Sequence, residues 1–537
     1  MDFIFGTLAT DELKTVHHRA RRLGVQHQHM LHPRDPLPGQ PVTITAQIGT
    51  DLLADNVACY YTTDGSQPAG ARGAATNGHV IRLERVDVAW DTLAWGYVTR
   101  WQATLPAQPE GITIRYRIGA WAGDGPETFA DWPDVTATAE AAASAFFRQK
   151  PVPPDLRRGD PAGHTFAFHV DTFAPPAWAR QAVIYHVFVD RFYPGEGRDW
   201  RQTRDLMGFC GGTLWGVRDK MDYIAELGAT CLWLSPTWPA PSHHGYDVTD
   251  FDRVEPRLGG DEALHAVVEA AHARGIRVLL DLVCNHISDQ HPIFQAALAD
   301  PASPYRAWFT FDDSETGYRA FFGNPAMPQV NLAHPDARDW MIGIARRWLR
   351  DFRVDGYRLD YANGPGPDFW TDFWTACKGE NPDSFCFGEV VNAPDVIETY
   401  RGRLDGCLDF HLSEAIRKTY GWRAWSEEQF AVFAARHADY FAGDFVMPVF
   451  LDNHDMDRFL FIAGGDKAAL RRAAAVQMAQ PGPPVILYGT EVGLSQATST
   501  QQGGHHLSRT PMAWGDDQDR DLLRDYQALI RARQSAG

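Results

Sequence analysis

Between Pro41 and Trp121 the apolar residues recur at every second position in short runs: Val42–Ile48 (VTITAQI), Asn56–Gly65, Tyr97–Pro106 and Ile112–Trp121. A period of two sends alternate side chains to opposite faces, so these runs predict strands, and the turn residues between them predict an antiparallel β-sandwich. Lys150–Gly163 (KPVPPDLRRGDPAG) is too rich in Pro and Gly for a regular element and reads as a linker. Beyond it the pattern changes. Solid apolar runs of strand length alternate with three-to-four-period runs such as Asp261–Gly275, which has an acidic start and a terminal Gly. Eight strand-like runs occur: Val183–Val189, Thr230–Ser235, Val278–Val283, Val354–Asp360, Ser384–Glu389, Leu404–Phe410, Met447–Asp455 and Val485–Gly489. Eight such units in roughly 350 residues predict an α/β fold, a (β/α)8 TIM barrel. After its third strand, residues 287–334 are aromatic, Pro-rich and too long for an ordinary connection, which predicts an inserted subdomain over the rim. The expected organisation is an immunoglobulin-like β-sandwich over 1–150, a linker over 151–175 and the barrel over 176–537. A short helix over 11–22 precedes the sandwich, with no role assigned.

Composition narrows the classes. Of 537 residues, 44% are hydrophobic and 22% charged, which describes a globular chain. The net charge of −18, without clustered Lys and Arg, argues against a nucleic-acid partner. Seven scattered Cys, an odd number, read as small buried hydrophobes and not as a disulfide framework or zinc site. No apolar run reaches the ~18 residues that span a bilayer, and the first residues lack a cationic start. The expected location is the cytoplasm, with no membrane partner.

Three strand-like runs end in an acid: Asp360, Glu389 and Asp455. An unpaired buried charge costs several kcal/mol, so ending a buried strand on a carboxylate is a poor way to build a core. At the C-terminal rim of a parallel barrel, however, such acids converge on one site. Breaking a glycosidic bond with retention needs a nucleophilic carboxylate and a second, protonated acid beside the departing oxygen. Arg358, two residues before Asp360 on the same strand face, offers a charge that keeps Asp360 ionised. Taken alone, Asp360 and Arg358 also fit a structural ion pair.

Four segments, Asp281–His286, Gly356–Asp360, Gly388–Glu389 and Asp452–Asp455, resemble in order the four sequence regions of the α-amylase family of retaining α-glucan-active enzymes. Met327–Asn331 resembles a further motif of members between neopullulanases and oligo-1,6-glucosidases. A sandwich followed by a barrel resembles the cyclomaltodextrinase, maltogenic amylase and neopullulanase branch. The resemblance implies Asp360 as nucleophile, Glu389 as general acid/base and Asp455 as the third carboxylate, which binds sugar hydroxyls with His454 assisting. It implies that Asp281 braces Arg358 and that His286 contacts sugar. His243–Asp250 (HHGYDVTD) matches the loop where the family places a stacking Tyr and a His, here Tyr246 and His244. It implies a terminal-sugar pocket made by Asp247 and Arg458; a solvated Asp and a barrel-end Arg is the competing reading. The activity implied is hydrolysis of α-1,4-glucosidic bonds in maltooligosaccharides, starch or cyclodextrins. The alternatives are a 4-α-glucanotransferase or a degenerate glucan-binding protein.

The pattern also departs from the family. Tyr361–Gly364 lacks the Lys-His of typical endo-amylases, and Val390–Asn392 lacks the Trp of some cyclodextrin-degrading relatives. The last residues read as the final barrel helix, so the family's usual C-terminal β-sandwich is expected to be absent. No cofactor is required. Ca²⁺ stays open, because Asn285 matches a family ligand but the remaining oxygens are not identifiable, and the acidic loop Gly195–Asp199 reads equally as solvated. The resemblance implies a homodimer built through the N-terminal domain. Its Trp90, Trp95, Trp101 and Trp121 read either as core or as a sugar-stacking surface.

Overall fold

The computed structural model describes residues 21–132 and 163–536, together with Thr15, His18 and Arg19. Most of the helix expected over 11–22, and residues 151–162 of the expected linker, lie outside the described residues. Two compact units form. The first comprises Met1–Phe173, Asn363–Thr375 and Val390–Leu404; the second comprises Ala174–Ala362, Ala376–Glu389 and Asp405–Gly537.

In the first unit, β1 (Val25–Gln26), β2 (Leu31–His32), β3 (Val42–Ile48), β4 (Asn56–Thr62), β7 (His79–Asp91), β8 (Gly96–Leu105), β9 (Ile112–Trp121), β10 (Thr128–Phe129) and β11 (Phe166–Val170) form one antiparallel sheet. A separate hairpin joins β5 (Ala69–Ala71) and β6 (Ala74–Asn77). Strand β7 pairs with both β4 and β8, and a bulge between Arg85 and Asp87 redirects it. Alternate residues of β3 (Val42, Ile44, Ala46, Ile48) share one core with Val57, Cys59, Ile114, Ile118 and Phe168. The expected linker is corrected at its end: β11 pairs along its length with β9, because Phe166, Phe168 and Val170 have an apolar face to bury. Trp101 and Trp121 are buried, whereas Trp90 and Trp95 are exposed.

In the second unit, eight parallel strands lie in the order β17-β16-β15-β14-β13-β12-β19-β18. They are β12 (Ile184–Val187), β13 (Cys231–Leu234), β14 (Arg277–Val283), β15 (Gly356–Asp360), β16 (Phe385–Gly388), β17 (Gly406–Cys407), β18 (Val449–Phe450) and β19 (Pro484–Leu487). A parallel bridge between Gly406 and Val446 closes the ring. Gly406 is needed there, since a Cβ would lie 1.7 Å from Val446 O. Every described barrel-strand residue except Arg277 is buried, which explains solid apolar runs in place of alternation. Between β14 and the helix Pro335–Asp351 the chain forms only isolated bridges and short helices around Phe294, Phe309 and Tyr318.

Candidate active site

The ladder sets the site. Register places Asp281 of β14 opposite Arg358 of β15, and Val283 opposite Asp360. Because side chains alternate, Arg358 and Asp360 share a face. Strand β15 starts at Gly356, whose φ of 141° and a would-be Cβ only 2.0 Å from Phe385 O exclude a side chain. Past β16 the ladder continues through Glu389 N–H to Leu359 O at 2.8 Å, which brings Glu389 alongside. Tyr361 then turns left-handed (φ 40°), and its N–H donates to Glu389 Oε2 at 3.1 Å.

One guanidinium serves three acids. Arg358 Nη1 donates to Asp281 Oδ1 at 2.6 Å and to Asp360 Oδ1 at 2.8 Å, while Nη2 lies 2.8 Å from Glu389 Oε2. Arg358 is fully buried, with Trp233 and Tyr246 rings 5.3 and 5.9 Å from its charge centre. Asp281 is further satisfied by Trp233 Nε1–H at 3.1 Å and Tyr246 O–H at 2.9 Å, which fits a bracing role. Burial raises Glu389, against Arg358 and with help from the Asp455 charge. Burial also raises Asp360, opposed by Arg358 and reinforced by Glu389 and Asp281. The expectation that Arg358 by itself holds Asp360 ionised is therefore corrected. A single cation cannot offset the burial of three carboxylates, so all three are raised.

Asp455 has the opposite surroundings. Its Oδ1 accepts from Arg509 Nη2 at 2.6 Å and lies 3.0 Å from His505 Nδ1, and Oδ2 lies 3.1 Å from His454 Nε2. Burial works to raise its pKa, but His454, His505 and Arg509 outweigh it and hold the carboxyl well below the usual range. Tyr246 O–H sits 2.6 Å from His454 Nε2, and the two rings are parallel within 4°. His244 stacks on Tyr246 at 5.9 Å. His286 is buried, stacks on Phe321 at 4.5 Å and leaves Nε2 without a protein partner. Burial pushes both His286 and His454 down to about 3, so both imidazoles are neutral near pH 7.

The Asp247–Arg458 pocket is corrected. Arg458 is fully buried and donates to Tyr488 O at 2.7 Å, Ser508 O at 2.9 Å and Thr490 Oγ1 at 3.2 Å. Among the described residues no ion pair joins it to Asp247, which accepts from Ser242 Oγ and lies 3.9 Å from His244 Nδ1. Burial raises Asp247 to about 6. The cation that faces an acid is Arg509, which with His505 was not read from the sequence. Both lie in an irregular stretch after β19 with no periodic or motif signal. Trp233 was also missed, although a Trp just before a strand's end is a cue.

At Asn285, the residue that raised the question of Ca²⁺, the main-chain carbonyl accepts from Val330 N–H and the side-chain amide nitrogen faces His286 Nδ1 at 3.2 Å. Glu196 of the acidic loop is paired with Arg198. Among the described residues no group of three or more His, Cys, Asp or Glu could hold a metal ion.

Residues 186–527 match the family model described as "Alpha amylase, catalytic domain". The chain belongs to the alpha-amylase family. It is 39% identical over 370 residues to Alpha-amylase 2 of Dictyoglomus thermophilum, covering 68% of this chain and 65% of that one. It is 33% identical over 393 residues to Neopullulanase 2 of Thermoactinomyces vulgaris, covering 69% and 65%. The chain thus spans 65% of the length of each of those two family members. Among solved structures it is similar to a cyclomaltodextrinase (25% identity, TM-score 0.64, covering 95% of this chain and 84% of that one). Another similar structure is the cyclic alpha-maltosyl-(1→6)-maltose hydrolase of Arthrobacter globiformis (29% identity, TM-score 0.62, covering 67% and 84%).

Proposed function

We propose that this alpha-amylase family protein hydrolyses α-1,4-glucosidic bonds of maltooligosaccharides, starch-derived chains or cyclodextrins by double displacement. The observation that carries the reading is the sharing of Arg358 by Asp360 and Glu389, with the Tyr361 N–H fixing one Glu389 oxygen. Glu389 Oε2 accepts from Tyr361 N–H and faces Arg358 Nη2, which leaves Oε1 to carry a proton. The proton is assigned to Glu389 because the departing oxygen must receive it, and the negative charge to Asp360, whose Oδ1 accepts from Arg358. Asp360 attacks the anomeric carbon while Glu389 gives its proton to the departing oxygen; Glu389 then takes a proton from water, whose oxygen displaces Asp360. Asp455, held ionised, accepts sugar hydroxyls as the ring flattens. Tyr246 and Trp233 supply apolar walls around Arg358, and the unspent Nε2 of His286 is available to a hydroxyl.

Incubation with maltooligosaccharides, soluble starch, pullulan and β-cyclodextrin, with products resolved over time and Asp360→Asn as control, tests this. Turnover lost in the variant supports the assignment, and longer products with a glucose acceptor point to 4-α-glucanotransferase action. Tight binding by the intact protein without turnover overturns it in favour of a glucan-binding role. We also place the protein in the cytoplasm: all seven Cys are free and buried, as suits a reducing compartment, and among the described residues no helix is long and apolar enough to cross a membrane. A homodimer through the N-terminal module draws support from the exposed Trp90, Trp95 and Tyr97, whose rings meet at 5.1–5.6 Å on the β7–β8 hairpin. Sedimentation of the Trp95→Ser variant beside the parent checks it.

A further inference from the structure

The segments that leave two catalytic strands are gathered into the first unit. Residues 363–375 begin three positions after Asp360, residues 390–404 begin directly after Glu389, and both cluster with Met1–Phe173. Their anchors are charged, with Asp368 half-buried and Arg403 buried. Asp368 Oδ1 accepts Ala167 N–H at 2.6 Å, and Oδ2 lies 2.6 Å from His164 Nε2 and 3.3 Å from His29 Nε2. Arg403, 1% exposed, places Nη2 3.0 Å from His29 Nδ1 and donates to Ala167 O at 3.0 Å. A guanidinium has no acceptor, so His29 Nδ1 must be the lone-pair nitrogen, and the ring proton sits on Nε2 facing Asp368. Burial pushes His29 down to about 4, and the neutral ring can accept from Arg403 while it faces Asp368 with a donor. One imidazole therefore links the segment after the nucleophile to the segment after the acid/base. The two segments also meet where they begin, through Asn363 Nδ2–H and Val391 O at 3.5 Å. Arg115–Asp372 at 2.9 Å and the Arg21–Asp395 pair tie each segment again.

We propose that His29, Asp368 and Arg403 are positioning residues for the catalytic pair, so that the N-terminal module acts as a clamp on the chain immediately following Asp360 and Glu389. The inference rests on the glycosidase reading above. The Tyr361 N–H to Glu389 bond spans the point where both segments originate, so slack in either one loosens it, and small misplacements of reacting groups cost rate more than binding. In His29→Leu, kcat falls by about tenfold with KM within about twofold of the parent, and amide hydrogen exchange rises in 363–375 and 390–404. His29→Gln, which can accept and donate, retains most of kcat. Ile44→Val, a core change elsewhere in the same module, lowers melting temperature but leaves kcat and those two segments unchanged. Asp368→Asn replaces His29→Leu should the latter not fold. Unchanged exchange in both segments, or an equal kcat loss in Ile44→Val, overturns the clamp. If the parent turns over none of the glucans, the glycosidase reading fails, and the exchange pattern by itself decides whether the clamp exists.

Discussion

Two halves of the same rim treat carboxylates in opposite ways. Around Arg358, one cation meets Asp281, Asp360 and Glu389, and burial raises all three. Around Asp455, one acid meets Arg509, His454 and His505, and its pKa falls. Since burial works to raise every one of these acids, the number of compensating partners per acid sets the direction: one guanidinium shared by three carboxylates on one side, Arg509 and two imidazoles around one carboxylate on the other. That number separates an acid suited to carry a proton from one suited to stay charged against a sugar.

The largest break in the comparison is Glu389→Gln. Loss of general acid catalysis lowers kcat by about 10²–10⁴-fold. Because the Glu389 charge also raises Asp360, the acid limb of the residual pH–rate profile moves to lower pH. Arg509→Met tests the other half. It removes a charge-assisted bond worth about 1.5–3 kcal/mol, so kcat/KM on maltotriose drops by roughly ten- to hundredfold. The Asp455 pKa rises in this variant, so its activity also fails at higher pH than the parent's as the solution is acidified.

Arg458→Met sharpens the contrast, since among the described residues that arginine binds two carbonyl oxygens and a hydroxyl and no acid. Urea unfolding should show a loss of about 2–3 kcal/mol for carbonyls left unpaired, with the pH–rate profile unmoved. The smallest change is Asp247→Asn. Asp247 is raised from 3.8 to about 6, so the folded state binds its proton more tightly, and stability falls as pH rises from about 4 to about 6. Above that window the ionised, buried carboxylate is a standing cost. Melting temperature of Asp247→Asn should exceed the parent's at pH 8 and match it near pH 4.

The pairing of Asp247 with Arg458 shows where reading from the chain stops. The family resemblance made them neighbours, but Arg458 points into carbonyls from Tyr488 and Ser508. Its place beside an acid is taken by Arg509, from a stretch without any repeat. Strand β7 was missed for a related reason: most of Val80–Trp90 is exposed or half-buried and reads as mixed polarity, and only its two partner strands make it a strand. Residues 166–170 passed for linker because five residues between Pro-rich stretches carry too little periodicity to register.

The sequence by itself determined the barrel and its acids. Eight apolar runs needed covering on both faces, the strand period put Arg358 and Asp360 on one face, and the family resemblance supplied the roles of Asp281 and Glu389. Tertiary structure decided which charges meet: one guanidinium for three carboxylates, Arg509 in place of Arg458, and His29 between Asp368 and Arg403. Periodicity is local and survives in the chain, whereas charge balance in a buried site depends on side chains brought together from hundreds of residues apart.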